Sequence, residues 1–317
     1  MNAYGAHRET GALGGLHPYA RVTLFLVFYF VVAIFMSVLF AAGAGALAAF
    51  GAIRLPEIDE QLLAHGTEGI VAVISRFMLP LAVVTGLYSI AYTWAFARIV
   101  DRRPLRSFGL RLTPGWFGSF AKGAGIAFAI LAVVFALSVA TGAVEFQGFT
   151  RPAPETASVP AYLLGTLVAF LLVGIYEELM FRGYVLQTLN ERAGKTGAIL
   201  ISSVVFALLH GANPGANAMA IVNTIAVAVL LAFLYYRTGA LWMPIGFHFA
   251  WNFSLGYVFT LPVSGLPIRG MLKVVEKGAA GTEPGAYGPE SDLPTTLVLL
   301  ALVVWLAVRR ASTRAAR

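Results

Sequence analysis

Apolar residues fall in long blocks along this chain, not in alternating or one-faced patterns. Runs near 22–50, 70–97, 117–141, 159–190, 197–211, 218–236, 240–260 and 294–308 are separated by short polar segments. A helix needs about 20 apolar residues to cross the hydrocarbon of a bilayer. The pattern therefore predicts an all-α fold, a polytopic transmembrane helical bundle of about eight spans, with the fifth and eighth runs the shortest. The first run, Val22 to Phe50, exceeds the roughly 7–15 apolar residues of a signal-peptide core and reads as a retained span. The longest polar interval, Pro262–Pro294, is rich in glycine and proline and reads as a loop.

Composition sharpens this picture. Of 317 residues, 59% are hydrophobic and 12% charged, and the mean hydropathy is +0.79, far from the usual soluble mixture. The net charge of +7 would suit nucleic acid if it were clustered. It lies instead in short segments between apolar runs, so it reports topology in a lipid bilayer, and no nucleic-acid partner is expected. Arg98, Arg102, Arg103, Arg106 and Arg111 share one loop, and Arg309, Arg310, Arg314 and Arg317 the tail. The alternate loops are net negative, holding Glu57, Asp59, Glu60 and Glu68, then Glu145 and Glu155, then Glu276, Glu283, Glu290 and Asp292. By the positive-inside rule both termini are expected in the cytoplasm. The expected location is a cell membrane crossed many times, and Ala-, Gly- and Arg-rich usage points to a bacterial plasma membrane. Arg76 and Lys122 stand near span ends, where long basic side chains reach the headgroups. The absence of cysteine excludes disulfides, thiolate metal sites and a cysteine nucleophile.

The chemistry concentrates at Tyr176-Glu177-Glu178-Leu179-Met180-Phe181-Arg182. Charged groups at bilayer depth cost several kcal/mol, face the protein interior or a wet cavity, and usually mark function. On a helix Glu178 and Arg182 are four residues apart with the carboxylate first, the favourable order for a pair. Glu177 points about 100° away around the axis and is left free for chemistry. Two of the five histidines, His210 and His248, fall in late spans, and His248 shares a helical face with Asn252. Each polar residue alone would serve as an interhelical hydrogen bond. Counting back from the turn near Arg192–Gly194, Glu177 and His210 sit at matching depth, about 23 Å from the tip. His248, about 15 Å beyond the Arg237 turn, requires an offset or tilted seventh span.

Glu177, His210, His248 and Asn252 suit a hydrolase. A desolvated carboxylate can act as general base with an imidazole beside it, while a second histidine and an asparagine amide supply oxyanion donors. Alternatively, Glu177, His210 and His248 form a ligand set for a divalent metal such as zinc. The residues leave both open, so the cofactor is either none obligatory or a divalent metal.

At these positions the chain resembles the CPBP family, intramembrane proteases named for CAAX and bacteriocin processing and also called Abi. Its Glu-Glu-x-x-x-Arg motif corresponds to Glu177, Glu178 and Arg182, its Phe-x-x-x-His to Phe206 and His210, and its His-x-x-x-Asn to His248 and Asn252. The motifs occur in order over about 160–258. The resemblance implies an eight-helix protein with the site in a membrane cavity, cleaving a membrane-associated peptide or protein. It also implies that Glu177 and His210 activate water, that His248 and Asn252 bind the oxyanion, and that Glu178, Arg182 and Phe206 support them. Some members of the family are described as metalloproteases. Residues 1–115 would form amino-terminal spans and a basic cytoplasmic loop, 116–261 the catalytic core, and 262–317 an external loop and the last span. Competing readings are a transporter with Glu177 and the histidines as an ion or proton relay, and a catalytically silent membrane binding or immunity protein. No His-Glu-x-x-His, Gly-x-Ser-x-Gly or Gly-x-Gly-Asp pattern occurs.

Overall fold

The computed structural model describes residues 15–49, 67–153, 157–277 and 287–315. Its helices follow the apolar runs: α1 (Pro18–Ala49), α2 (Thr67–Val100), α3 (Trp116–Ala140), α4 (Val159–Glu178), α5 (Leu186–His210), α6 (Ala218–Thr238), α7 (Trp242–Phe253) and α8 (Leu293–Ala315). The loop acids Glu57, Asp59, Glu60, Glu155 and Glu283 and the tail residue Arg317 lie outside the described residues.

A multi-pass membrane bundle of helices results, in which fewer than eight of the described stretches are by themselves long and apolar enough to cross. Among the described residues, five helical stretches are long and apolar enough to cross by length and composition, one being the continuous Val159–His210, and Leu293–Val304 is a shorter apolar helix. Val159–His210 cannot be one rod. On an unbroken helix Glu177 and His210 would lie about 50 Å apart at 1.5 Å per residue, yet their side chains are 3.8 Å apart. The reversal falls at Gly194, whose φ of 65° and ψ of 176° break the helix where the sequence predicts a turn. The run at 240–260 supplies only the 12-residue α7 and a following π-helical turn, Ser254–Val258.

Helix α7 is mostly buried. It packs between α3 and α4, and its backbone touches that of α3 through a reciprocal pair of glycines. A Cβ on Gly123 would stand 2.0 Å from the Met243 carbonyl oxygen, and one on Gly246 2.1 Å from that of Phe120. Small residues permit such approach in a membrane bundle, where van der Waals packing replaces the hydrophobic drive.

The two ends of the bundle are built differently. At one end Arg21 of α1 pairs with Asp101 after α2 and with Glu191 of α5, while the Leu241 amide donates to the Gly109 carbonyl at 3.0 Å. The start of α1, the 101–115 loop, the α4–α5 hairpin and the α6–α7 turn therefore share a side, as the alternation of loop charge requires. At the other end the two long connections, expected to be loops, pair as an antiparallel ribbon, β1 (Val144–Phe149) with β2 (Leu272–Glu276). Its valine- and phenylalanine-rich segments favour the pleated state.

Gly246→Ala should shift α7 from α3 and cost about 1–3 kcal/mol, the range for overpacking a filled core. Thermal unfolding in detergent checks this, and a midpoint equal to the parent's would show that the backbone contact does not hold α7 in place.

Candidate active site

Helix α4 ends at Glu178 and continues into a π-helical turn, Leu179–Val185, every residue of which is buried. The junction sends its three charged groups in different directions. Glu178 is fully buried; its Oε1 accepts from Arg182 Nη1 at 2.8 Å and from His248 Nδ1 at 2.9 Å. Arg182 also donates Nη2 to the Ala228 carbonyl of α6 at 3.1 Å, and its guanidinium stacks 4.7 Å from the Phe206 ring centroid. The predicted pair thus forms, and Glu178 has a second partner that spacing alone did not show.

Glu177 faces the other way. Its Oε1 accepts from the Tyr176 hydroxyl at 3.1 Å. Its Oε2 is buried without a hydrogen-bond partner, 3.8 Å from His210 Nε2 and 3.7 Å from His248 Nε2. The histidine tautomers follow from their other nitrogens. His210 Nδ1 lies 2.9 Å from the Phe206 carbonyl, which can only accept, so Nδ1 carries the proton. His248 Nδ1 likewise donates to the Glu178 carboxylate. In the neutral rings both Nε2 atoms are then bare, and three lone-pair donors surround one small space.

That space belongs to a cavity of about 380 Å³ that also includes Asn252, one turn beyond His248 on the same face. Glu177, His210, His248 and Asn252 thus line one cavity. Phe206 positions more than one neighbour: its carbonyl orients His210, and its ring lies against both Arg182 and the His210 imidazole, 4.3 Å between centroids. Tyr29, Leu81, Ala82 and Thr85 place α1 and α2 on the cavity wall. Sequence reading missed Glu290, taken as an acid of a solvated loop. It enters the same cavity and accepts from Trp251 Nε1 at 2.7 Å. Burial holds its carboxyl above the usual range despite hydrogen bonds from Trp251 and Ser264 that oppose this. No periodicity marks it; only the fold brings it inside.

The metal reading is constrained by spacing. Imidazoles whose second nitrogen donates to a carboxylate or carbonyl are the kind that ligate zinc. Ligands 2.0–2.1 Å from a tetrahedral zinc stand about 3.3 Å apart, closer than the distances from Glu177 to either histidine. Among the described residues no three His, Cys, Asp or Glu side chains are placed to share an ion. As placed, Glu177, His210 and His248 do not fit one.

Comparisons with known proteins match this region. Residues 159–254 match the family model for type II CAAX prenyl endopeptidase, Rce1-like. A protein from Bacillus subtilis (strain 168) named "Putative membrane peptidase YdiL" is 29% identical over 138 residues, 42% of this chain and 52% of that relative. The resemblance to the CPBP family holds. The matched stretch carries all three motif pairs, although the chain spans only about half the length of that curated relative. The matched stretch contains Glu177, Glu178, Arg182, Phe206, His210, His248 and Asn252, while α1 and α2 precede it and Glu290 follows it.

Arg182→Ala would leave Glu178 buried and uncompensated, and Glu178→Ala would do the same to Arg182. Each is expected to cost about 3–5 kcal/mol and to lower the yield of monodisperse protein extracted in detergent. Yields matching the parent's would show that water reaches the pair.

Proposed function

We propose that this protein is an intramembrane endopeptidase that hydrolyses a peptide bond of a membrane-associated substrate. The observation that carries the reading is the unpartnered Glu177 Oε2 facing two bare imidazole nitrogens inside a largely apolar cavity. A water there would donate one hydrogen to Glu177 Oε2 and the other to His210 Nε2. Glu177 takes a proton as the water oxygen attacks the scissile carbonyl carbon, and returns it to the departing amine as the carbon–nitrogen bond breaks. Asn252 offers an amide N–H to the oxyanion. His248 can join it only when both ring nitrogens carry protons, because Nδ1–H is committed to Glu178. Glu178 then serves as the counter-charge, which gives the second glutamate a chemical task besides its pairing with Arg182.

Several features support a peptide over a transported ion. The cavity wall is largely aliphatic and aromatic, from Phe170, Met180, Leu209, Val227 and Leu231, which suits an apolar segment taken from the bilayer. The family match names an endopeptidase. A CAAX-like carboxyl terminus, a leader peptide and a membrane protein all fit that chemistry. The same proposal sets the protein in a bacterial plasma membrane, with both termini cytoplasmic and the β1–β2 end outside.

Glu177→Gln keeps the volume but cannot take a proton at neutral pH, so turnover should fall about 10²–10⁴-fold while thermal stability stays near the parent's. Membrane proteomics of parent and variant cells would reveal the substrate as peptides that persist uncut. Normal processing by Glu177→Gln, with Glu178→Gln folded but inactive, would reverse the assignment of the two carboxylates. Chelation is expected to leave activity in place; loss that added zinc restores in proportion would establish a metal mechanism.

A further inference from the structure

Away from Glu177 the cavity ends at the outer connection, among Asn223 and Thr224 of α6, Ser264, Glu290 and Thr295. Their hydrogen-bond donors are committed within the protein. The Asn223 amide nitrogen donates to the carbonyls of Glu290 at 2.9 Å and Asp292 at 3.3 Å, and these two acceptors also settle which amide atom is nitrogen. The Thr224 hydroxyl donates to Ala220 at 2.7 Å and that of Thr295 to Pro289 at 2.6 Å. Ser264 donates through its amide at 2.5 Å and its hydroxyl at 3.1 Å to Glu290 Oε2. What these five residues leave open to the cavity, which Asn213 also lines, is therefore a set of lone pairs. Asn223, 1% exposed, has its Oδ1 buried with no partner. The Glu290 carboxylate has about four lone-pair sites, of which Trp251 and Ser264 fill three.

A buried carboxylate with one acceptor site still open and a buried carbonyl oxygen with no donor suit a cationic group with several N–H bonds. On the protease reading above, we propose that this end of the cavity is a substrate subsite for a lysine or arginine side chain. Trp251 ties it to the reacting centre, because Trp251 holds Glu290 and immediately precedes Asn252 in α7. A basic side chain seated on Glu290 would set the register of the substrate against Glu177. The apolar wall from α1, α2 and α6 would hold the neighbouring residues without regard to sequence.

The test uses the full chain carrying Glu177→Gln, in lipid nanodiscs, so that binding is read without cleavage. Fluorescently labelled single-span Leu-Ala peptides carry lysine, norleucine or Nε-acetyl-lysine at one position, moved stepwise along the peptide. At one position lysine should bind at least about tenfold more tightly than either neutral analogue, the factor that one charge-assisted hydrogen bond supplies. Adding Glu290→Gln should remove most of that difference. If that variant does not fold, the contrast between lysine and acetyl-lysine on protein retaining Glu290 still decides. Equal binding of all three peptides at every position would overturn the subsite, as would a preference undiminished in folded Glu290→Gln. Cleavage of these peptides by the unsubstituted protein is measured in parallel. Lysine preference without any cleavage would count against the protease reading and leave the subsite standing; cleavage without lysine preference would do the reverse.

Discussion

One fully buried carboxylate, Glu178, organises the centre of this molecule. In lipid its charge must be met inside the protein, and it is met from two directions, by Arg182 on the following turn and by His248 on α7. Arg182 in turn reaches the backbone of α6 and the ring of Phe206 on α5. Four helices are thereby referred to a single pair of opposite charges. The same contacts fix the His248 tautomer and present its Nε2 to Glu177, so the requirement that stabilises the bundle also arms the site.

Around this pair the packing is close and mostly apolar. Gly123 and Gly246 let α3 and α7 meet backbone to backbone, holding α7 at the depth His248 needs although the helix is too short to cross by itself. Aromatic rings extend the arrangement outward: Phe25 stacks on Tyr184 at 4.4 Å and ties α1 to the turn that carries Arg182. The amino-terminal helices, which precede the family match, are thus joined to the core by ring contacts within the bundle and by the Arg21 ion pairs at its end. They also form one wall of the cavity.

Much of this was legible in the chain. Apolar blocks located each helix because lipid demands long apolar segments whatever the neighbours are. The Glu178–Arg182 pair followed from helical spacing, and the matched depths of Glu177 and His210 from counting residues to the turn at Gly194. These features depend on local geometry, which a sequence carries directly. The ribbon β1–β2 was not visible, since it depends on how two connections far apart in the chain fold against each other.

The sequence by itself determined the class of protein, the positions of its helices and the polar residue types of the candidate site, because hydrophobic run length and helical period are properties of consecutive residues. Only the tertiary structure decided that Glu178 holds His248, that both histidines turn bare Nε2 atoms to Glu177, and that Glu290 enters the same cavity from a loop. Those relations join residues tens of positions apart, and their distances are set by backbone approach at glycines and by where buried donors find acceptors. Neither quantity is written in any local stretch of the chain.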